Sequence, residues 1–219
     1  MISQTEVSCI RCGSRQTITV HDSINVREEP ALKAEVLDGS AFVWECAHCG
    51  AHNLVRRQTL YHDPDEKLMI WLTFGSEELE ERVRAAYGGM EELKGYTARF
   101  VDDAGSLVEK VKVFDAGLDD VVMEMTKYVV RMELRSSMHE RADEISSAPF
   151  KFLRLDGADG EITLAYPLDG QMVMAAVGFN VYEDCRGILN RNPAMAAAAS
   201  GLAAGRAAAC GAHVRVSLQ

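Results

Sequence analysis

The sequence predicts an α+β protein: an N-terminal β module followed by helices that pack on a small antiparallel sheet. Two Cys-x-x-Cys pairs, Cys9 with Cys12 and Cys46 with Cys49, each stand at the end of a strand-like run. Segments with helical spacing of apolar residues follow them, and three more strand-like runs come after these. The chain has 219 residues, 47% of them hydrophobic and 26% charged, which is enough for one large domain or two small ones.

The two Cys pairs are the most specific chemical signal in the sequence. Two residues between paired cysteines let both sulfurs reach one ion while the backbone turn offers amide donors, and four thiolates complete a closed tetrahedral zinc site. The strand, helix and strand expected between the pairs could bring them together. We therefore predict that Cys9, Cys12, Cys46 and Cys49 bind one structural Zn²⁺ and that the β module is zinc-ribbon-like. A closed site leaves no open position for chemistry and names no substrate.

Other interpretations of these residues stay open. A redox pair of thioredoxin type would open a helix in a βαβ unit, an order of elements that is not predicted here, while two disulfides or iron in the same sulfur cage are further alternatives. His48 and His52 could replace a thiolate, but four cysteines already complete the shell, so we expect both to face solvent or to hydrogen-bond a sulfur or carbonyl. Cys185 and Cys210 have no nearby partner and are expected to be buried or incidental thiols.

The β module is expected to occupy residues 1–75. Apolar residues at helical spacing in residues 30–37, just before an Asp-Gly pair, predict a short helix between the two Cys pairs. Residues 61–65 have the composition of a turn, because Asp and Pro preset its backbone. The predicted strands are residues 15–20, 40–45, 53–61 and 67–74.

Helical patterns begin the α+β region, which we place at residues 76–219. Ser76 is placed to cap the first helix, and Ser106 with Glu109 three residues later predicts a capping box that opens the second. A stripe of apolar residues, several of them methionine, predicts a longer third helix with one buried face. The predicted helices are residues 76–88, 106–116 and 119–136.

Strands dominate the next part of the chain, at about residues 150–177, where turns rich in Asp and Gly predict a meander. Its strands are residues 150–155, 161–166 and 172–177. A helix is expected at residues 182–190, and Asn192 with Pro193 predicts the start of another. The Ala-rich segment at residues 194–209 favours helix, but its low complexity leaves a partly ordered tail open, and residues 214–216 could form an edge strand.

Charge and segment lengths limit the possible partners and location. The formal net charge of −10 argues against a nucleic-acid partner, because such proteins carry basic surface and no Lys/Arg cluster beyond Arg56 and Arg57 stands out. The apolar stretches are far shorter than a membrane span of roughly 20 residues. The N-terminus lacks the basic start and the apolar run of a secretory signal, which predicts a reducing cytoplasm.

Three function hypotheses follow. The first is a cytoplasmic, zinc-stabilised interaction or regulatory protein with a protein partner, and we lean towards a chain that is not an enzyme. The second is a nucleic-acid-associated accessory protein of zinc-ribbon type, whose binding would depend on Arg11, Arg15, Arg56 and Arg57.

The third hypothesis is an enzyme that uses His62 and the adjacent Asp63 as base and carboxylate. Neighbouring side chains in a strand point to opposite faces, so a turn-capping Asp63 and a packed or hydrogen-bonded His62 are favoured. The carboxylate pairs at residues 102–103 and 119–120 could serve acid–base or metal chemistry, but their positions favour capping of free amides.

The Cys pairs and several downstream segments resemble the bacterial CpXC domain proteins, a functionally uncharacterised family named after its paired cysteine motifs. The resemblance covers roughly residues 7–130. Besides the cysteines it includes residues 60–63, 99–101, 107–110, 117–120 and Lys127. It implies that the four cysteines ligate zinc and that the downstream helices belong to the same architecture. Ile10 and Ala47 stand where the family usually has proline, which leaves the ligands unchanged but presets the turns less.

Overall fold

The computed structural model describes residues 1–87, 90–157 and 160–203, which contain eleven β-strands and seven α-helices. The strands are β1 (Ile2–Ser8), β2 (Arg15–His21), β3 (Ser23–Asn25), β4 (Val43–Glu45), β5 (His52–Leu54), β6 (Thr59–Asp63), β7 (Leu68–Leu72), β8 (Thr97–Val101), β9 (Lys151–Asp156), β10 (Glu161–Leu168) and β11 (Gln171–Gly178). The helices are α1 (Ala31–Asp38), α2 (Glu77–Tyr87), α3 (Ala104–Asp115), α4 (Asp120–Ser137), α5 (Ala142–Ser147), α6 (Phe179–Arg191) and α7 (Pro193–Ala203).

These strands form four sheets. The β1–β2 and β4–β5 pairs are antiparallel hairpins, each with a Cys pair at its tip. A mixed sheet has the order β3-β6-β7-β8, and an antiparallel meander has the order β11-β10-β9. The predicted α+β class is therefore confirmed, and the two hairpins are compatible with a zinc-ribbon-like module.

The mixed sheet is the core of the N-terminal half. All five residues of β7 are buried, because α1 and α3 cover one face of the sheet and α2 covers the other. Its fourth strand, β8, follows residue 75 in sequence, and Val101 and Leu107 complete the core that Ile24 and Tyr61 begin. One core thus crosses the expected boundary, and the division of the chain at residue 75 stays a prediction.

The meander predicted within residues 150–177 is confirmed. Its inner face packs Phe152, Ile162 and Leu164 against α4 and α6. Helix α6 begins at Phe179, three residues before the predicted start, and α7 begins at Pro193 as predicted. The predictions at residues 88–89, 204–209 and 214–216, and that for Cys210, lie outside the described residues.

Two of the predicted strands are wrong in part. Residues 40–42 form a 3₁₀ turn, so only Val43–Glu45 is strand. The strand predicted at residues 53–61 is two strands, because the chain leaves the β4–β5 hairpin before it enters the mixed sheet. The turn predicted at residues 61–65 starts later, since Tyr61 is fully buried and packs within β6. Tertiary packing therefore overrides the local turn signal.

The predicted capping box is wrong, although its helix exists. Helix α3 begins at Ala104, and its N-cap is Asp103, whose Oδ1 accepts the backbone N–H of Ser106 at 2.8 Å. Glu109 is buried and takes part in ion pairs. The cap predicted at Ser76 is confirmed, since its Oγ accepts the backbone N–H of Leu79 at 3.3 Å.

Candidate metal centre

The four cysteine sulfurs meet between the tips of the two hairpins. The Sγ atoms of Cys9 and Cys49 are 3.7 Å apart, as are those of Cys12 and Cys46, and all four lie within 4.8 Å of one another. Four sulfurs at about 2.3 Å from a central ion in tetrahedral geometry would stand about 3.8 Å apart. A disulfide would need about 2.05 Å. The donor set therefore has the size and chemistry to hold one metal ion.

The two Cys pairs lie in two separate backbone turns of the same kind. The N–H of Cys9 donates to Ser14 O at 2.9 Å and that of Cys46 donates to Ala51 O at 2.9 Å. Gly13 closes the first turn by donating to Cys9 O at 2.9 Å, with φ of 72°. At the corresponding place in the second turn the glycine donates to Cys46 O at 2.8 Å with φ of 66°. This left-handed conformation favours glycine, so the sequence Cys-x-x-Cys-Gly itself encodes the turn.

Two side-chain amides connect the hairpins. Asn53 accepts the backbone N–H of Ile10 at 2.9 Å, and Gln16 accepts that of Ala47 at 2.9 Å. Each amide lies seven residues after the first cysteine of its own pair and bonds to the opposite turn. The two backbone N–H groups are available because Ile10 and Ala47 stand where the resembled family usually has proline, which lacks an N–H. The hydrogen bonds thus stabilise turns that proline would otherwise preset.

Hydrogen bonds to sulfur favour thiolates in the cage. The Ser14 hydroxyl lies 3.5 Å from Cys46 Sγ and, with backbone amides of the turn, lowers the pKa of Cys46 to about 6 despite its burial. The Ala51 amide favours the Cys49 thiolate, but burial and hydrogen bonds with the other three sulfurs raise the pKa of Cys49 to about 12. Four thiolates this close repel one another, so a bound cation would be needed to keep all four deprotonated.

Burial differs among the four ligands. Cys9 and Cys46 are only 3% and 1% exposed and pack with Trp44, whereas Cys12 is exposed and Cys49 is half-buried. The inner side of the cage is therefore shielded by an aromatic ring, and the outer side is open to solvent.

Among the described residues, neither Cys185 nor the nearby histidines join this cluster. His48 and His52 are exposed, and the cluster contains cysteines alone among the described residues. Cys185 is buried in α6, where burial raises the pKa of its thiol.

His62 and Asp63 do not form an acid–base pair. They are neighbours in β6 and lie on opposite faces of it. Asp63 accepts the backbone N–H groups of Asp65 and Glu66, each at 3.2 Å, and an ammonium N–H of Lys33 at 3.2 Å. His62 Nε2 lies 3.3 Å from the Tyr96 hydroxyl, and burial lowers the pKa of this imidazole. The geometry matches the capping and packing roles expected for the two side chains.

In each of the other two carboxylate pairs, at residues 102–103 and 119–120, one member caps a helix and the other does not. Asp103 caps α3, and Asp119 caps α4 by accepting the backbone N–H groups of Val121 and Val122 at 2.7 and 3.1 Å. Asp102 accepts the hydroxyl of Thr73 at 3.4 Å. Asp120 does not cap its helix, because it is 1% exposed and ion-paired.

Asp120 belongs to a series of buried and half-buried ion pairs, here called the charge chain, that the sequence patterns did not predict. Arg99 donates two hydrogen bonds of 2.7 Å to this carboxylate, and Lys110 lies 2.9 Å from it. The chain continues through Glu124, Lys127 and Glu109 to Lys151 on β9. Most of its members fall in the segments that resemble the family, which is the only signal that could have pointed to them.

The four arginines proposed for nucleic-acid contact are dispersed. Arg11 and Arg15 are exposed near the first Cys pair. Arg56 and Arg57 line a separate cavity of about 860 Å³ together with aromatic residues. The guanidinium of Arg56 lies 5.9 Å from the ring centroid of Phe74, while Arg57 is paired with an aspartate at 2.7 Å. The aromatic residues of this cavity are Trp71, Phe74 and Tyr87.

Comparison with known proteins adds one match. A family model described as CpXC protein matches residues 7–127, which include both Cys pairs and end at Lys127 of the charge chain. Neither the curated proteins nor the solved structures contain a significant match. Among the described residues, no helix has both the length and the apolar character that a membrane crossing requires.

Proposed function

Because this chain belongs to the CpXC protein family, we propose that it is a non-catalytic interaction or regulatory module whose N-terminal hairpins are held together by one structural Zn²⁺. The observation that carries the proposal is the cage of four sulfurs, with 3.7 Å between the cysteines that face each other across the two turns. Four thiolates at this spacing are the usual ligand set of structural zinc and complete its coordination shell. A closed shell supports a role in folding and leaves no place for a substrate.

The short β4–β5 hairpin would gain most from such an ion. Strands β4 and β5 have three residues each, and two-stranded hairpins are marginally stable in water. Among the described residues, the cluster beneath the cage has three buried members, Cys9, Trp44 and Cys46, and two of these are ligands of the cage. A structural zinc ion contributes about 10–16 kcal/mol of apparent binding energy at neutral pH. Cys9, Cys12, Cys46 and Cys49 would therefore supply most of the tertiary stability of this part of the chain.

Exposed apolar side chains on both hairpins support a protein partner. Ile10, at the tip of the first turn, is 87% exposed, and the cross-strand pair Val43 and Leu54 is 38% and 69% exposed. Val43 and Leu54 also border a groove of about 550 Å³ that continues to α3 and β9. A zinc-fixed hairpin would present these side chains in one orientation, which lowers the entropic cost of binding.

The proposal is tested by capture from native lysate with matched variants. We expect the unmodified chain to retain a specific protein that Leu54→Lys loses. Tyr128→Lys, a change at a 47% exposed position on α4, is expected to retain it. An identical set of captured proteins for all three chains, or none across several salt concentrations, would contradict an interaction role for this surface.

A second candidate, a nucleic-acid-associated accessory protein, is favoured by the cavity of about 860 Å³. Aromatic rings beside arginine are the elements of a stacking site for single-stranded nucleic acid. The net charge of −10 opposes this function. It predicts a salt-sensitive mobility shift with single-stranded DNA or RNA that Arg56→Gln weakens. Absence of any shift at low salt would remove it.

A further inference from the structure

Within the described residues, strand β11 is an edge strand of its sheet. It lies at one end of the order β11-β10-β9, and none of the described residues pairs with its outer side. Its eight residues, Gln-Met-Val-Met-Ala-Ala-Val-Gly, carry no charge. Met172 and Met174, which share one face, are 65% and 66% exposed. An uncharged edge strand of this length offers a row of free backbone donors and acceptors for another strand.

The opposite edge of the same sheet is protected in two ways. Strand β9 carries three charged residues, Lys151, Arg154 and Asp156. Helix α3 packs against it, and its Glu109 accepts the backbone N–H of Phe152 at 2.8 Å. Charge and cover are the devices by which proteins prevent strand addition at an edge. Strand β9 has both devices, whereas β11 has no charged residue and no strand beside its outer side in the part of the chain that the structure describes, which favours β11 as a pairing surface.

We propose that β11 pairs antiparallel with β11 of a second copy of this chain, across a two-fold axis perpendicular to the sheet. The pairing would join two three-stranded meanders into one six-stranded sheet, a common size. A two-fold contact requires a self-complementary surface, and an uncharged strand meets its copy without opposing like charges. The net charge of −10 makes two copies repel each other. An uncharged edge strand is a part of the surface where this electrostatic repulsion is small.

The methionines add apolar contact to the backbone hydrogen bonds. Residues of the same parity lie on one face of a strand, so Met172 and Met174 of both copies would line one side of the new strand pair. Their flexible thioether side chains pack well against one another. This inference goes beyond the proposed function, because β11 lies outside the matched residues 7–127 and its pairing does not depend on a metal.

The test is the mass of the full-length protein in solution, measured by light scattering over a dilution series. The unmodified chain is expected at about twice its mass of 24.1 kDa. Met174→Lys is expected to raise the dimer dissociation constant by about 100-fold or more, because two added lysines would lie on the same side of the new strand pair and repel each other. Met132→Lys, a change at a 39% exposed methionine of α4, is expected to leave the dimer unchanged.

Amide hydrogen exchange distinguishes strand pairing from contact elsewhere. The N–H groups of β11 that do not bond to β10 are expected to be protected in the unmodified chain and to exchange quickly in Met174→Lys. Met172→Lys serves in its place if the first variant loses its melting transition. A monomer at every concentration overturns the inference. So does a dimer whose outer β11 amides exchange freely, or one that both lysine variants leave intact.

Discussion

Lys127 lies at the centre of the charge chain. Its side chain is 8% exposed, and its ammonium group is 2.8 Å from Glu109 and 2.9 Å from Glu124. Burial alone would lower the pKa of this lysine, but the two carboxylates outweigh burial and raise it. Lys127 therefore stays charged inside the protein, where it shares Glu124 with Lys110 and Glu109 with Lys151.

Removal of this ammonium group is expected to be costly. Lys127→Met should lower the free energy of unfolding by about 3 kcal/mol, near the lower end of the range for breaking a buried pair, because Lys110 and Lys151 remain beside the two carboxylates. Lys94→Met breaks a pair whose partners are 78% and 81% exposed, and it should change the free energy by less than about 0.5 kcal/mol. Urea unfolding at neutral pH measures both. Equal effects of the two substitutions on the free energy of unfolding would contradict the role assigned to the charge chain.

Glu124 makes stability depend on acid pH. Burial would raise the pKa of its carboxyl, but Lys127 and Lys110 outweigh burial and lower the pKa below its ordinary value of 4.5. The stabilisation is therefore complete above pH 4.5 and is lost as the pH falls through the lower folded-state value. The difference in unfolding free energy between the unmodified chain and Glu124→Gln should be constant at neutral pH and shrink in acid. Glu91→Gln, at an exposed position, should follow the unmodified chain, and a difference that grows on acidification would refute this prediction.

Asn53 is expected to tune the metal site without contacting the ion. Its side chain is 4% exposed, accepts from Ile10 N, donates to Ala51 O at 2.8 Å and lies 3.7 Å from Cys9 Sγ. Asn53→Ala should lower zinc affinity by about 10–100-fold, which is typical for loss of a group that orients a ligand. Competition with a chelator measures the change, and Gln58→Ala, an exposed amide outside the cage, is the control. Unchanged affinity in Asn53→Ala would show that the turns need no such bond.

The sequence was sufficient to predict the cysteine cluster but not the groups around it. Cys-x-x-Cys encodes its turn locally, so each half of the cage could be recognised without tertiary information. The bonds of Gln16 and Asn53 cross between hairpins, and their partners are 31 and 43 residues away in sequence. Glu109 and Lys127 are likewise 18 residues apart, on different helices. Such pairings depend on how elements pack, which local patterns do not specify.

Helices α3 and α4 begin at aspartates that serve the same purpose. Asp103 and Asp119 each accept a free backbone N–H of the first turn, and each precedes a helix that contributes to the charge chain. The start of α4 was predicted closely, whereas α3 was predicted two residues late. Two cap candidates three residues apart, Asp103 and Ser106, compete there, and the earlier one, Asp103, is the N-cap.

The cap of α4 should be measurable by itself. Asp119→Ala is expected to lower the free energy of unfolding by about 1 kcal/mol, because two N–H groups lose their acceptor. Asp119→Asn keeps an acceptor oxygen and should cost only a few tenths of that amount. Thermal or urea unfolding checks both, and an alanine variant as stable as the asparagine variant would contradict the capping role.

Within the described residues, helix α3 contacts both the mixed sheet and the meander. This helix packs on the mixed sheet through Leu107 and Val111 and contacts β9 of the meander. The fold class, most of the helices and strands, and the meander could be predicted from periodicity and turn composition. The strand order of the mixed sheet could not, because β3 pairs with β6 and β7 with β8 in parallel across long connections. Sequence patterns identify strands more readily than they identify the neighbours of each strand.

We infer that sulfurs from the two hairpins share one zinc ion. The metal content of the purified, reduced protein, measured by mass spectrometry, tests this inference. One zinc per chain is predicted for the unmodified protein and for Cys185→Ser, a change at a buried thiol outside the cage. Cys46→Ser should lose the ion together with the ordered β4–β5 hairpin. A reduced, folded protein that binds no metal after incubation with zinc, or one that keeps its zinc in Cys46→Ser, would contradict the account.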